Sequence, residues 1–300
     1  MGDADTAAPV ALAGATGFTG RRVAARLAAR GARLCCLVRA TSDRAVLPAG
    51  ASAVTGDLAD AAALGAWLDG CTSLVYVASM GFGHVPAVVA AAERAGCRRA
   101  VFVSTTAIFT RLPAPSRAVR TAAEECVRAS ALAWTIVRPT MIYGAPGDRN
   151  MERLLRRLAR WPALPVPGDG RHLIQPVHVD DLADGIAAAW ASPAAVGRAY
   201  ALSGAAPLSL DATLHAAAAA VGRRARLVHL PLGPVAALLR VAERLRLRLP
   251  VREEQVLRLA EDKAFGHEDA ARDLGFAPRH FADGIGEEAR LLGLAAGAPR

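Results

Sequence analysis

"PVALAGATGFTGRRVAARLAARGARLCCLVRA", residues 9–40, decides the fold. Val10 to Ala13 is a short apolar run that stops at Gly14. From Phe18 onward Val23, Leu27 and Ala28 recur at helical spacing, and Gly31 ends the helix. Leu34 to Val38 follows as a second apolar strand, with Cys35 and Cys36 read as small buried residues. Strand, tight turn, helix and strand fill the ~30 residues of a βαβ crossover.

Gly14, Gly17 and Gly20 fall on the turn and on the first helical turn. Glycines there permit a left-handed backbone, close approach of main-chain N–H groups to a pyrophosphate, and tight helix–strand packing. A glycine triplet placed after a strand and before a helix points to dinucleotide binding. Thr16, Phe18 and Thr19 lie in the same turn and join the candidate cofactor contacts. At the end of the second strand, where a carboxylate would accept from the ribose hydroxyls of NAD, the chain has Arg39, with Arg44 nearby. A guanidinium there suits the extra phosphate of NADP(H), so NADP(H) is expected over NAD(H). The other reading of Arg39 is a solvated arginine in an arginine-rich chain.

Further apolar runs at 52–55, 73–78, 100–104 and 133–138 alternate with helical patterns at 60–69, 85–96 and 117–130. That alternation predicts an α/β Rossmann-type doubly wound parallel sheet. "TGDLAD" sets Asp57 and Leu58 after the third strand, where Asp57 serves the adenine, caps the next helix, or both. Residues 1–145, completed by about 175–203, are expected to form the cofactor domain. Residues 146–174 and 204–300 are expected to form a smaller C-terminal α/β substrate cap.

Of the 300 residues 53% are hydrophobic and 21% charged, a globular balance with room for a large core. Apolar runs such as 226–239 are broken by Pro231 and Pro234 short of a bilayer span, and the acidic start "MGDADTAAPV" does not read as a signal peptide. Five cysteines without disulfide or metal spacing suggest a reducing compartment, hence a cytoplasmic location. The net charge of +9 is carried almost wholly by arginine, Lys263 being the single lysine. No metal is expected, the Asp180–Asp181 pair standing without a second cluster and reading as a helix cap that also ties the two parts together.

"GATGFTG" at 14–20, "GDL" at 56–58, "FVSTT" at 102–106, "WTIVRPTMIYG" at 134–144, "QPVHVDDLADGI" at 175–186 and "DLGFAPRHFADGI" at 273–285 run in order along the chain. In these pieces the chain resembles the extended and atypical short-chain dehydrogenase/reductase superfamily, its epimerase/dehydratase branch in particular. The resemblance implies hydride transfer to or from a small carbonyl or nucleotide-sugar-like substrate. It also implies a tyrosine with a lysine four residues later, preceded by a strand that ends in Ser or Thr. Ser104, Thr105 and Thr106 match that strand end. The helix alignment puts Ser116 at the tyrosine position and Arg120 at the lysine position, and Tyr76, Tyr143 and Tyr200 are followed four residues on by Met80, Gly147 and Gly204. The pair is missing.

Catalytic candidates are therefore Ser104, Thr105, Thr106, Tyr143, His84 and Arg120, with water as another proton source. Arg120 can replace a lysine's charge but cannot shuttle protons; its other reading is an exposed helix arginine. His84, in "SMGFGHVP", carries an imidazole, the side chain most used for acid–base work, or is a loop histidine without a role. Tyr143 is expected at the crevice mouth as a donor or as a lid. Ala78, Ser104, Arg120 and Pro139 complete the cofactor contacts implied by the resemblance, and Thr105, Tyr143, Arg149 and Asn150 are the substrate-side candidates, Asn150 also as a helix cap. Besides an enzyme, the sequence admits a non-catalytic NADP(H)-binding sensor or an assembly or regulatory protein. Nucleic acid is not expected as a partner. The basic stretch with arginines at 240, 244, 246 and 248 reads as a solvated face or an oligomer surface, a homodimer being the superfamily habit; contact with an anionic membrane is the less favoured alternative.

Overall fold

The structure is a computed structural model that describes residues 8–112, 115–161, 163–245, 247 and 256–295. Arg246 and Arg248 of the basic stretch lie outside the described residues, as do residues 1–7 and 296–300 of the two expected domains.

Seven parallel strands form the central sheet: β1 (Val10–Ala13), β2 (Leu34–Val38), β3 (Ser52–Thr55), β4 (Ser73–Tyr76), β5 (Arg99–Val103), β6 (Ala133–Pro139) and β11 (Arg198–Leu202). Their order is β11-β6-β5-β4-β1-β2-β3, with β1 beside both β2 and β4. The central strands are apolar throughout because helices cover both faces. On β1 the alternation is visible: Val10 and Leu12 enter one core with Val23 and Leu27 of α1 (Gly20–Ala29) and Leu182 and Ile186 of α6 (Val179–Ala191). Ala11 and Ala13 enter the opposite core with Trp67 of α2 (Ala61–Leu68), Val88 of α3 (Val85–Arg94) and Val127 of α4 (Pro115–Ala129).

A third core, outside the sheet, joins Tyr143 of β7 (Ile142–Tyr143), Leu155 of α5 (Met151–Arg160), Val166 of β8 (Ala163–Pro167), Leu214 of α7 (Leu210–Ala220) and Ile285 of α10 (Phe281–Leu291). Small pairings frame it: β8 with β13 (Arg226–Leu230), β9 (Leu173–Ile174) with β12 (Leu208–Ser209), and β10 (Val177–His178) with β7. α8 (Leu232–Arg244) follows β13. One piece of the 204–300 stretch departs from the expected division. Ala270 of α9 (Glu268–Leu274) and Phe276 pack into the first sheet core, not into the cap.

Charge ties the 204–300 stretch to α6: Arg279 donates to both oxygens of Asp181 through Nε and from Nη2 at 2.8 Å. Arg22 of α1 pairs with Asp180 at 3.1 Å and joins α1 to α6 within the sheet part. The cap of α6 is not an aspartate: His178 Nδ1 accepts from Asp180 N at 3.3 Å. Its Nε2 proton then goes to the Gly144 carbonyl at 3.1 Å. Gly144 has φ +119, and a Cβ there would lie 2.2 Å from the His178 ring, so only glycine allows this contact.

Candidate cofactor and substrate crevice

The glycine turn explains itself through what a side chain would strike. Gly14 is left-handed (φ +82), and a Cβ on it would meet the Ala78 amide nitrogen at 3.0 Å. A Cβ at Gly20 would sit 1.8 Å from the Gly14 carbonyl oxygen. Gly17 N donates to the same carbonyl at 3.0 Å, closing the turn before α1 begins. These residues fit a pyrophosphate held on backbone N–H groups at a helix N-terminus. Thr19, the residue before α1, makes no side-chain cap, and Thr16 is only half-buried. The Phe18 ring lies under the Arg22 guanidinium at 5.0 Å. Arg21 Nη2 reaches the Pro146 carbonyl at 3.2 Å and brings the 144–150 loop beside the turn.

Arg39 is exposed after β2, its backbone N–H bonded to Ser42 Oγ at 3.2 Å. Asp57, also exposed, accepts from Ala59 N at 2.9 Å. It does not cap the next helix. Asp60 does, accepting from Ala62 N and Ala63 N at 2.9 and 3.3 Å. Leu58 is half-buried next to it.

Across the sheet, the residues after β4, β5 and β6 converge. Ser104 N donates to Val137 O at 2.8 Å, and Thr106 Oγ1 donates to Pro139 O at 3.2 Å, fastening the end of β5 to β6. Thr105 caps the following 3₁₀ turn (Thr106–Phe109) by accepting from Ala107 N, and it is the half-exposed one of the three hydroxyls. Ser104 Oγ is buried against the Glu124 carboxylate and helps hold that group charged, yet closes no hydrogen bond of good geometry. Glu124 is gripped by Arg138 at 2.6 and 2.9 Å and by Arg128 at 3.0 Å. Burial raises its pKa, but the hydrogen bonds and charges of Arg138, Ser104 and Arg128 outweigh that and lower it.

Arg120 is half-buried on α4, and its Nη1 donates to Ser116 Oγ at 2.9 Å. The guanidinium also lies along Gly81, where a Cβ would be 3.2 Å from Nε and 3.3 Å from Nη2. Burial first, and then Arg258, lower the pKa of Arg120. Arg258 belongs to a strap from the cap that crosses this end of the sheet. In it Glu261 accepts from Thr110 Oγ1 at 2.5 Å and from Arg111 N at 2.7 Å, and Phe265 meets Phe109 at 5.7 Å between ring centroids. Lys263 N bonds Leu173 O at 2.7 Å, and the lysine ammonium donates to the Arg258 carbonyl. Phe265 N is held by Gln175 Oε1 at 2.8 Å, while Gln175 Nε2 donates to Gly204 O at 2.7 Å.

Two expectations fail. Tyr143 is not at the crevice mouth: it is fully buried in the third core, its hydroxyl donating to Phe281 O at 3.5 Å, and burial pushes its pKa up. A tyrosine inside an apolar core has no route to a substrate oxygen. Asn150 does not cap α5, because Asp148 accepts from Asn150 N and Met151 N at 2.6 and 3.2 Å. Asn150 and Arg149 are exposed in the loop beside the glycine turn. His84 is half-buried just before α3 and caps nothing. The sequence marks neither Glu124 nor Gly81, and nothing in it brings the 256–265 strap to this edge.

Residues 14–159 match the NAD(P)H-binding family. The chain is 35% identical over 196 residues to the ceramide reductase of Caulobacter vibrioides, which covers 60% of each protein, so it spans about 60% of that relative's length. It is 28% identical to the 4-hydroxy-2-methyl-3-oxo-4-farnesyl-3,4-dihydroquinoline-1-oxide ketoreductase of Stigmatella aurantiaca, over 89% of this chain and 91% of that one. The UDP-glucose 4-epimerase of Thermus thermophilus, solved with NAD, superposes with a TM-score of 0.71 at 19% identity, over 94% of this chain and 98% of that one. The likeness to solved structures is one of fold: a Rossmann-type α/β sheet. Among the described residues no helix is long and apolar enough to cross a membrane.

Proposed function

We propose that this chain is an NADP(H)-dependent reductase of a carbonyl compound with a lipophilic body, working without a tyrosine–lysine pair. One juxtaposition carries the reading: the Arg120 guanidinium lies along Gly81, in the segment after β4 whose Ala78 faces Gly14 of the glycine cradle. When bound, the nicotinamide supplies the hydride. Thr105, half-exposed at the end of β5, orients the carbonyl oxygen. Arg120 stabilises negative charge developing on that oxygen, a contribution that needs no proton transfer from the arginine. Water or His84 then delivers the proton; general acid catalysis is worth only ~10²- to 10⁴-fold, so its weakening slows the reaction without abolishing it. Arg39 reads the extra phosphate of NADP(H). The free thiols suit a reducing, cytoplasmic compartment. The lipophilic keto substrate is preferred to a sugar nucleotide because one relative described above is named a ceramide reductase and the other a ketoreductase of a farnesyl-bearing oxo compound.

The Ser116–Arg120 hydrogen bond favours a second reading, a non-catalytic NADP(H) sensor, since neither group is an acid near neutral pH. Incubating the protein with NADPH and a panel of long-chain 3-oxo compounds, simple ketones and UDP-glucose separates the two. The reductase reading expects NADPH oxidation with a lipophilic ketone, diminished by Thr105→Ala and by Arg120→Ala. NADPH that raises the melting temperature yet is never oxidised by any of them decides for the sensor.

A further inference from the structure

α8 carries apolar residues on two opposite faces. Ala236, Leu239 and Ala242 are buried against the protein. Leu238, Val241 and Leu245, spaced by three and four residues, point the other way and are 68%, 52% and 65% exposed. Pro234 and Ala237 extend that outward stripe, and Leu230, at the end of the strand leading into the helix, is exposed as well. Arg240 and Arg244, both exposed, border the stripe on one side. A helix that only packs on a domain turns polar residues outward. An outward leucine–valine stripe edged by arginines is instead the pattern of a helix lying in a bilayer interface.

We propose that α8 docks this protein onto an anionic membrane surface, with Leu238, Val241 and Leu245 entering the acyl boundary and Arg240 and Arg244 meeting lipid phosphates. Charge selects this occupant over a second copy of the chain. A two-fold contact is self-complementary, so the arginines beside the stripe would be brought toward the same arginines of the other copy in a protein that already carries +9. Anionic headgroups offer the opposite sign along the whole edge. The position suits delivery to the crevice. Leu232, the first residue of α8, lines a small cavity with Ala260, His172 and Leu210. Ala260 shares its 3₁₀ turn with Arg258, whose charge acts on Arg120. The helix thus begins on the side where the strap meets the crevice.

The docking surface is independent of the chemistry proposed above and is tested without a substrate. The full chain is sedimented with vesicles of phosphatidylcholine mixed with phosphatidylglycerol, and with vesicles of phosphatidylcholine alone. Binding to the anionic vesicles is expected, weakened by added salt and reduced about tenfold or more by Leu238→Ser with Leu245→Ser. Arg240→Gln with Arg244→Gln is expected to abolish the preference for the anionic vesicles. The leucine double variant should keep the melting temperature and its rise with NADPH, since both side chains are exposed. Absence of binding to anionic vesicles overturns the proposal, as does binding that the leucine exchanges leave unchanged. A wild-type dimer that the leucine exchanges convert to monomer, without vesicle binding, overturns it in favour of a second copy. None of these results bears on carbonyl reduction by detergent-dispersed substrate, so the two readings fail separately.

Discussion

Arg120 Nη1 donates to Ser116 Oγ at 2.9 Å, one turn apart on α4, while the same guanidinium lies against Gly81 after β4. The two positions that the resemblance assigns to a proton-donating tyrosine and its lysine are therefore bonded to each other. A fixed cation remains at the sheet edge, and a titrating hydroxyl does not. Glu124, one turn further along α4, holds Arg138 from behind and fixes the end of β6 against the helix. The arrangement is charged, and its carboxylate, Glu124, is held ionised by Arg138 and Arg128.

Arg120→Ala is expected to lower kcat/KM for a reducible ketone by about 10²-fold, as removal of one preorganised charge-stabilising donor does. Ser116→Ala should cost less than about tenfold, because it loosens the guanidinium without removing it. Arg120→Lys should recover part of the loss through charge alone. Steady-state kinetics with melting temperatures alongside checks all three. Equal losses for the two alanine variants would show that Arg120 is only a helix-surface residue.

Gly20→Ala should abolish dinucleotide binding, since its Cβ would lie 1.8 Å from the Gly14 carbonyl oxygen and backbone must move. Gly14→Ala adds a left-handed alanine, a cost of about 1–3 kcal/mol, with its Cβ 3.0 Å from Ala78 N. The readout is the NADPH-induced rise in melting temperature. A full rise in Gly20→Ala would mean that the cofactor sits elsewhere.

Arg39→Ala should weaken NADPH and spare NADH. One charge-assisted contact is worth about 1.5–3 kcal/mol, so the NADPH affinity should fall by roughly 10- to 100-fold. Titration of each dinucleotide by fluorescence tests this. An equal effect on both would make Arg39 a solvated arginine.

Glu288 gives the stability a pH dependence. It is fully buried on α10, Oε2 accepts from Gly144 N at 3.0 Å, and Oε1 has no hydrogen-bond partner among the described residues. Burial, and then Asp148, raise its pKa from 4.5 to about 8. The folded state binds this proton more tightly than the unfolded chain, so the favourable term is complete below about pH 4.5 and is lost as pH rises toward about 8. Glu288→Gln keeps the neutral form. Its stability relative to wild type should climb across that window, on the order of 1.4 kcal/mol per unit of raised pKa. Parallel melting-temperature profiles from pH 4.5 to 8 would refute the assignment.

The strands and helices of the cofactor domain were legible because each rests on local signals. Apolar runs gave the buried strands, helical spacing gave α1 to α4, and the three glycines gave the turn. The caps were less legible. Asp57, Asp180 and Asn150 were all plausible caps by type, but the chain uses Asp60, His178 and Asp148 instead. Capping depends on which side chain reaches which N–H, and many polar residues near a helix start satisfy the pattern equally well. Tyr143 was misplaced for a related reason. "MIYG" does not say which way a two-residue strand turns, and Gly284, 141 positions after Tyr143, leaves the room into which the tyrosine hydroxyl is buried.

By itself the sequence determined the parallel sheet and the glycine turn, because spacing and residue type within a few turns settle both. Tertiary structure decided what surrounds Arg120. Arg120 meets Gly81 across 39 residues, and Arg258 approaches Arg120 across 138. Contacts at such separations depend on how helices and straps pack over the sheet edge, which no local pattern encodes.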